Sequence, residues 1–442
     1  MAKHNDKEII NDKRYERKKR RKHNQIIAYI VVSLILIILI TVGYFGVRYV
    51  NQKLKSIKEQ KQEEEQTSTV EISTATESEE EETSSEIVEY TQEDLLNEVV
   101  DSCISEMSLE DKVAGLFIIT PEALTKTDVT IKAGDGTKEA LEKYPVGGLV
   151  YFKQNIKSES QITEMLANTV SMSKYPIFLA VDEEGGDVAR VQTALKLDQT
   201  DDLKTIGVSG DTKAAYSAYQ NIGAYLTKYG FNLDFAPVAD VLTNEKNTSI
   251  GERSFGSDAT LVSSMITSSV TGLSETGVTA CLKHFPGQGD ADGDTHTGLS
   301  TTNRTLDQMR ATEFLPFKAG IDAGAQMIMV GHISAPEVIG DNTPSSLSNV
   351  MITDVLRNEL QYNGVVITDA LNMSAITEYY TSDEACVKAL KAGADILLMP
   401  EDFEAAYQGV VDAVKNGTIS EDRIDDSLAR VYRIKYAGTI DK

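Results

Sequence analysis

The stretch Gly364-Val365-Val366-Ile367-Thr368-Asp369 is a short apolar run that ends in a carboxylate. It is one of eight. Similar runs occupy Val113–Thr120, Gly147–Phe152, Pro176–Val181, Asn232–Pro237, Thr279–Lys283, Met327–Gly331 and Asp395–Met399. Between them lie segments with helical spacing of apolar residues: Ser158–Ser173, Asp211–Tyr229, Asp258–Thr276, Leu306–Ala323, Val350–Leu360 and Ser374–Ala392. Continuous apolar strands alternating with helices predict a parallel sheet covered by helices. Eight such units predict an α/β fold of the (β/α)8 barrel type. A doubly wound open sheet is the alternative, but it usually carries a Gly-rich phosphate loop after its first strand, and none follows Val113–Thr120.

In such barrels the chemistry sits at the C-terminal ends of the strands. Those ends read Asp182-Glu183-Glu184-Gly185-Gly186 after the third run, Asp234 and Asp240 around the fourth, and Lys283-His284 at the fifth. His332 follows the sixth run and Asp369 the seventh. One buried Asp at a strand end is often only a cap for the next helix. Five strands ending in charge converge on one pocket mouth.

The rest of the chain is different in kind. It has 442 residues and a net charge of −25, which argues against nucleic acid as a partner because phosphate binding needs basic surface. An apolar share of 41% excludes wholesale disorder. Cys103, Cys281 and Cys386 are too few and too scattered for a disulfide framework. Residues 1–25 form a basic tail, and a charge-free apolar run follows over 26–47. As a helix this run is roughly 33 Å long, enough to cross a bilayer core. It is too long for a signal-peptide core and lacks an Ala-x-Ala cleavage site. The expectation is a single-pass cell-membrane anchor with a cytoplasmic N-terminus and everything after it outside. Residues 48–93, rich in Glu, Ser and Thr, are expected to be a disordered acidic spacer, leaving 94–442 as the barrel.

Lys283-His284-Phe285-Pro286-Gly287-Gln288-Gly289-Asp290-Ala291-Asp292-Gly293-Asp294-Thr295-His296 is the densest polar segment. Asp290, Asp292 and Asp294 begin like a calcium loop, but the sixth and twelfth positions are Thr295 and Thr301 instead of Gly and Glu. A metal site through His284 and His296 would have a spacing that fits no helical pair, and no metal is expected. The third reading is acid–base chemistry. A carboxylate at Asp294 would hold the imidazole of His296 in one tautomer and stabilise its charged form. A surface loop with incidental charges remains the plain alternative. Asp369 closes a buried strand too early to cap the helix beginning at Ser374, which makes it a candidate nucleophile.

These residues resemble the β-N-acetylglucosaminidases of glycoside hydrolase family 3. Lys283-His284-Phe285-Pro286-Gly287-Gln288-Gly289 with Asp294-Thr295-His296 carries the resemblance, as does Val181-Asp182-Glu183-Glu184-Gly185-Gly186, similar to that family's Asp-Gln-Glu-Gly-Gly segment. Phe235–Asp240, Ile250–Asp258 and Ile367-Thr368-Asp369 match in the family's order, and the resemblance spans about residues 94–436. It implies Asp369 as nucleophile, His296 as an unusual histidine acid/base and Asp294 as its partner. It also implies that Asp182, Arg190, Arg253, Lys283 and His284 hold the terminal sugar. Two positions depart from the pattern: Gln288 stands where the family often has His, and Asp187 where it often has Arg.

The activity implied is retaining removal of terminal β-linked N-acetylglucosamine, with no cofactor, from N-acetylglucosaminides and muropeptides of peptidoglycan turnover. Many relatives take an acid/base glutamate from a second, C-terminal domain; with the chain ending at Lys442, the acid is expected from a barrel loop, and His296 is the placed candidate. A β-glucosidase, a phosphorylase using phosphate in place of water, and a non-catalytic binder of wall sugars are the other readings.

Overall fold

The structure, a computed structural model, describes residues 91–291, 293–296 and 298–440. The basic tail, the apolar run 26–47 and all but the last three residues of the expected spacer lie outside the described residues. Of those three, Gln92 and Glu93 already belong to a helix, Gln92–Ser105, capped by Thr91. No helix among the described residues is long and apolar enough to cross a membrane.

Eight parallel strands form the barrel wall: β1 (Phe117–Ile119), β2 (Gly148–Tyr151), β3 (Phe178–Val181), β6 (Leu233–Asp234), β7 (Thr279–Phe285), β8 (Met327–Val330), β9 (Val365–Thr368) and β10 (Leu397–Leu398). A small antiparallel hairpin, β4 (Glu183–Gly185) and β5 (Val188–Ala189), follows β3. β10 pairs with β1, and a parallel bridge between Ile367 and Ile396 joins β9 to β10. That bridge closes the ring and excludes the open doubly wound sheet.

The runs lack polar alternation because both faces of each strand are buried. One set of side chains, including Ile118, Val150, Phe178, Leu233, Cys281, Met327, Val365 and Ile396, fills the barrel interior. Their neighbours, such as Phe117, Leu149, Leu179, Leu282, Ile328 and Val366, pack outward against the helices.

Three expected elements have different limits. Val113 and Ala114 end a helix, Leu109–Ala114, because Ser108 caps it and acidic residues fill its first turn. The expected helix 306–323 divides into Leu306–Ala311 and Phe314–Asp322; Pro316 is tolerated there because it falls in a first turn. The expected helix 374–392 likewise divides, with a Thr381/Glu384 capping box starting its second part.

The long helix Glu421–Ile440 was not expected. Val431 and Ile434 join the interior cluster, at the end of the barrel away from the charged strand ends. Lys435 donates to the Gly147 carbonyl at 2.7 Å and sits 4.8 Å above the Phe178 ring, and burial pushes its amine down to about 7. Cys103, Cys281 and Cys386 are free thiols; Cys281 is buried on β7 as expected.

Candidate active site

Each charged strand end lies at the same rim. The Lys283 ammonium is buried and bridges Asp182 Oδ1 at 2.7 Å and Glu184 Oε1 at 2.6 Å. Arg253 grips Glu184 with two parallel bonds, Nε to Oε2 and Nη2 to Oε1, each 2.8 Å. Two cations and two anions thus alternate in one chain of contacts. The pairing offsets the cost of burying each charge and leaves the groups rigid. Burial opposes the ionised form of Glu184, but Arg253 and Lys283 outweigh it and hold the carboxyl far below its ordinary value. Lys283 is raised in turn by Asp182 and Glu184, despite burial.

β7 is irregular where this matters. Its register against β8 shifts between Leu282 and Phe285, and the Lys283–His284 peptide is cis. His284 Nδ1 lies 2.7 Å from Asp240 Oδ2. Asp240 also receives the Gln288 backbone N–H at 2.6 Å, so one carboxylate orients the imidazole and the turn after it. The tight turn Gly287-Gln288-Gly289 needs its glycines: a β-carbon on Gly289 would lie 2.0 Å from the Val241 carbonyl oxygen.

Asp369 stands one residue past β9 and is half-buried. Its Oδ1 accepts the Ala370 N–H at 2.7 Å, and it caps no helix. Burial raises its carboxyl, but the nearby His332, His284 and Lys283 and that N–H outweigh burial and lower it. Asp369 is therefore ionised at neutral pH, the state a carboxylate nucleophile needs. His332 is buried between the Ser346 hydroxyl at 2.7 Å and the Ala370 carbonyl at 2.9 Å; burial keeps it below its ordinary value.

Asp294 and His296 form a pair on the loop after β7. His296 Nδ1 is 2.8 Å from Asp294 Oδ1, which also takes the His296 backbone N–H at 2.9 Å. This leaves Nε2 for a substrate. The imidazole is 66% exposed, so it stands at the open mouth and not in the floor. The loop reaches the Asp369 side through the Ala375 N–H, 3.3 Å from the Thr295 carbonyl. The backbone and side chain of His296 lower the Asp294 carboxyl against the effect of burial.

Arg190 begins the helix Arg190–Leu195 beside Asp182, whose carbonyl receives its backbone N–H at 3.4 Å; among the described residues its buried Nε has no hydrogen-bond partner. Asp187 lines a cavity of about 220 Å³ with Glu184 and Arg253, which places the departure from Arg beside the ionic chain. Asp290 is committed to the Thr302 hydroxyl at 2.8 Å, the Thr243 hydroxyl at 3.2 Å and Arg304, which is not the arrangement of a calcium loop.

Sequence reasoning missed three partners. Glu184, legible in the sequence only as a charge at a strand end, joins Lys283 to Arg253. Asp240 orients His284 across 44 residues. Glu183 accepts the N–H groups of Val191 and Gln192 at 2.7 and 2.9 Å and the Tyr225 hydroxyl at 2.8 Å, so it holds a helix start. With Glu184 doubly paired and Glu183 thus engaged, neither is free to act as the acid.

Glu313 is 1% exposed, and burial pushes its carboxyl up to about 7 against the pull of Arg304. A folded value above the unfolded 4.5 means the native state holds the proton more tightly, so stability falls as pH rises from about 4.5 to about 7. The expected loss over that window is on the order of 3 kcal/mol. Glu313→Gln removes it: thermal midpoints of wild type and variant should diverge from pH 5 to pH 8, with wild type falling relative to the variant. Parallel curves would contradict this assignment.

The chain is similar to several known proteins. The model of the Glycosyl hydrolase family 3 N terminal domain matches residues 108–434. A "Beta-hexosaminidase A" of Pseudoalteromonas piscicida is 33% identical over 327 residues, which is 67% of this chain and 54% of that protein. The chain thus spans about half the length of this relative. A "Beta-hexosaminidase" of Stenotrophomonas maltophilia (strain R551-3) is 33% identical over 62% of this chain and 82% of its own length. Among solved structures, a glycoside hydrolase family 3 beta-N-acetylglucosaminidase from Paenibacillus sp. str. FPU-7 superposes with a TM-score of 0.70 at 33% identity, covering 76% of this chain and 64% of that one.

Proposed function

Because the chain belongs to glycosyl hydrolase family 3, we propose that it removes terminal β-linked N-acetylglucosamine by retaining hydrolysis through a glycosyl-enzyme on Asp369. The observation that carries this is the ionised Asp369 at the end of β9, under the influence of Lys283 from a cluster of two cations and two paired anions, with an Asp294/His296 pair on the loop after β7. Similarity to proteins named for hexosaminidase and N-acetylglucosaminidase activity supports the choice of sugar.

Asp369 attacks the anomeric carbon while His296, protonated at Nε2, gives that proton to the departing oxygen. The neutral imidazole then takes a proton from water, which cleaves the glycosyl-enzyme. Asp294 keeps Nδ1 protonated and stabilises the charged ring. Asp182 accepts from sugar hydroxyls; Lys283, His284, Arg190 and Arg253 donate to them. A non-catalytic sugar binder would need neither Asp369 nor the pair.

The full chain incubated with nitrophenyl β-glycosides of N-acetylglucosamine and glucose, with and without phosphate, tests the reading. N-acetylglucosaminide should be cleaved faster, with or without phosphate, giving the β-anomer first. Preference for the glucoside points to a β-glucosidase, and turnover that requires phosphate points to a phosphorylase; either result overturns the proposal.

The natural substrates are peptidoglycan-derived sugars outside the cytoplasmic membrane. Support comes from the basic residues 13–22 before the charge-free run 26–47. Protease added to intact cells should remove the barrel and spare a short N-terminal stub. A barrel protected in intact cells and digested only after lysis rules this topology out.

A further inference from the structure

The loop carrying Asp294 and His296 leaves β7 at Phe285 and ends at Thr305, the cap of the helix Leu306–Ala311. Three of the bonds at its tip are long. The Gln288 amide reaches the Thr295 hydroxyl at 3.4 Å, the Ser300 hydroxyl reaches the Gly293 carbonyl at 3.3 Å, and Ala375 reaches Thr295 at 3.3 Å. All are near the outer limit of a hydrogen bond. The outgoing limb is also held at Ser334, whose N–H reaches the Ser300 carbonyl at 2.8 Å and whose carbonyl takes the Thr302 N–H at 2.9 Å.

Both limbs meet at one cation. Arg304, on the outgoing limb, places Nε 3.2 Å from Asp290 Oδ1 on the incoming limb and 3.4 Å from Oε1 of Glu313, the residue just before the helix Phe314–Asp322. Asp290 also holds Thr302 of the outgoing limb at 2.8 Å. The incoming limb rests on Glu313: Gly287 has φ +120°, and a β-carbon there would come within 2.7 Å of Glu313 Cγ. Neither oxygen of the buried Glu313 has a hydrogen-bond partner among the described residues, so Arg304 is its compensating neighbour. Removing that cation would leave a buried carboxylate without one.

We propose that Arg304 is a positioning residue for the acid/base pair, tying the outgoing limb of the loop to Asp290 and Glu313 so that His296 stands over the departing oxygen. The proposal rests on the assignment of His296 as acid/base made above. Misplacement of a catalytic group by about 1 Å costs on the order of 10²-fold. That cost falls only on substrates whose leaving group must be protonated.

The test compares kcat/KM, which reports the steps up to the glycosyl-enzyme, on the nitrophenyl and methyl β-N-acetylglucosaminides. Arg304→Gln should lose about 30-fold or more on the methyl glycoside and less than about 3-fold on the nitrophenyl glycoside. Arg304→Lys, which keeps the charge, should fall between. Glu313→Gln preserves the packing against Gly287, should show the same substrate dependence, and decides the matter if Arg304→Gln does not fold. Equal losses on both substrates, or none, in variants where His296→Ala does discriminate overturn this proposal alone. If His296→Ala does not discriminate, the acid/base assignment itself fails and this proposal with it.

Discussion

Asp369→Ala should lower kcat on every β-N-acetylglucosaminide by at least about 10⁴-fold, because no glycosyl-enzyme can form. The side chain is half-buried and packs against no helix start, so the loss should come without a comparable loss of stability. Sugar binding should persist, because Asp182, Glu184, Lys283 and Arg253 are held in place by one another. Kinetics of the purified variant beside a binding measurement with N-acetylglucosamine check both points. Activity above about 1% of wild type would remove Asp369 from the nucleophile role.

His296→Ala should behave differently on different substrates. An activated nitrophenyl leaving group needs little protonation, so kcat/KM on it should be largely kept. On an unactivated glycoside the loss should be about 10²- to 10⁴-fold, the usual range for general acid catalysis. Water also loses its base, so the second step slows and a sugar adduct on Asp369 should accumulate, visible by intact-protein mass spectrometry. Asp294→Ala should show a milder form, since Asp294 acts through the imidazole 2.8 Å away. An equal fall on good and poor leaving groups with no adduct would make His296 structural. The acid would then not be Glu183 or Glu184, since both are engaged elsewhere, and Asp182 would be the next to test.

Some of this molecule was legible because the signals are local. A strand buried on both faces shows an unbroken apolar run whatever its neighbours are, and all eight barrel strands fall within the runs read from composition, apart from an extension of β7 to Phe285. The Asp294/His296 contact spans two residues, so spacing alone suggests it. Asp369 ends such a run, and no fold-level knowledge was needed to notice it.

Other features depend on which distant residues the closed barrel brings together. Lys283 meets Asp182 across 101 residues, and Arg253 meets Glu184 across 69. No periodicity records those pairings; they exist because β3 and β7 end at one rim. The same holds for Asp240 beneath His284, for Glu313 beneath Gly287, and for the helix Glu421–Ile440 whose Val431 fills the far end of the barrel. The strand–helix alternation, the charged strand ends and the candidate nucleophile and acid/base pair are local, each written within a few residues. Tertiary structure decided the roles of the remaining charges: buried ionic groups are stable only with partners, and only the closed barrel supplies them.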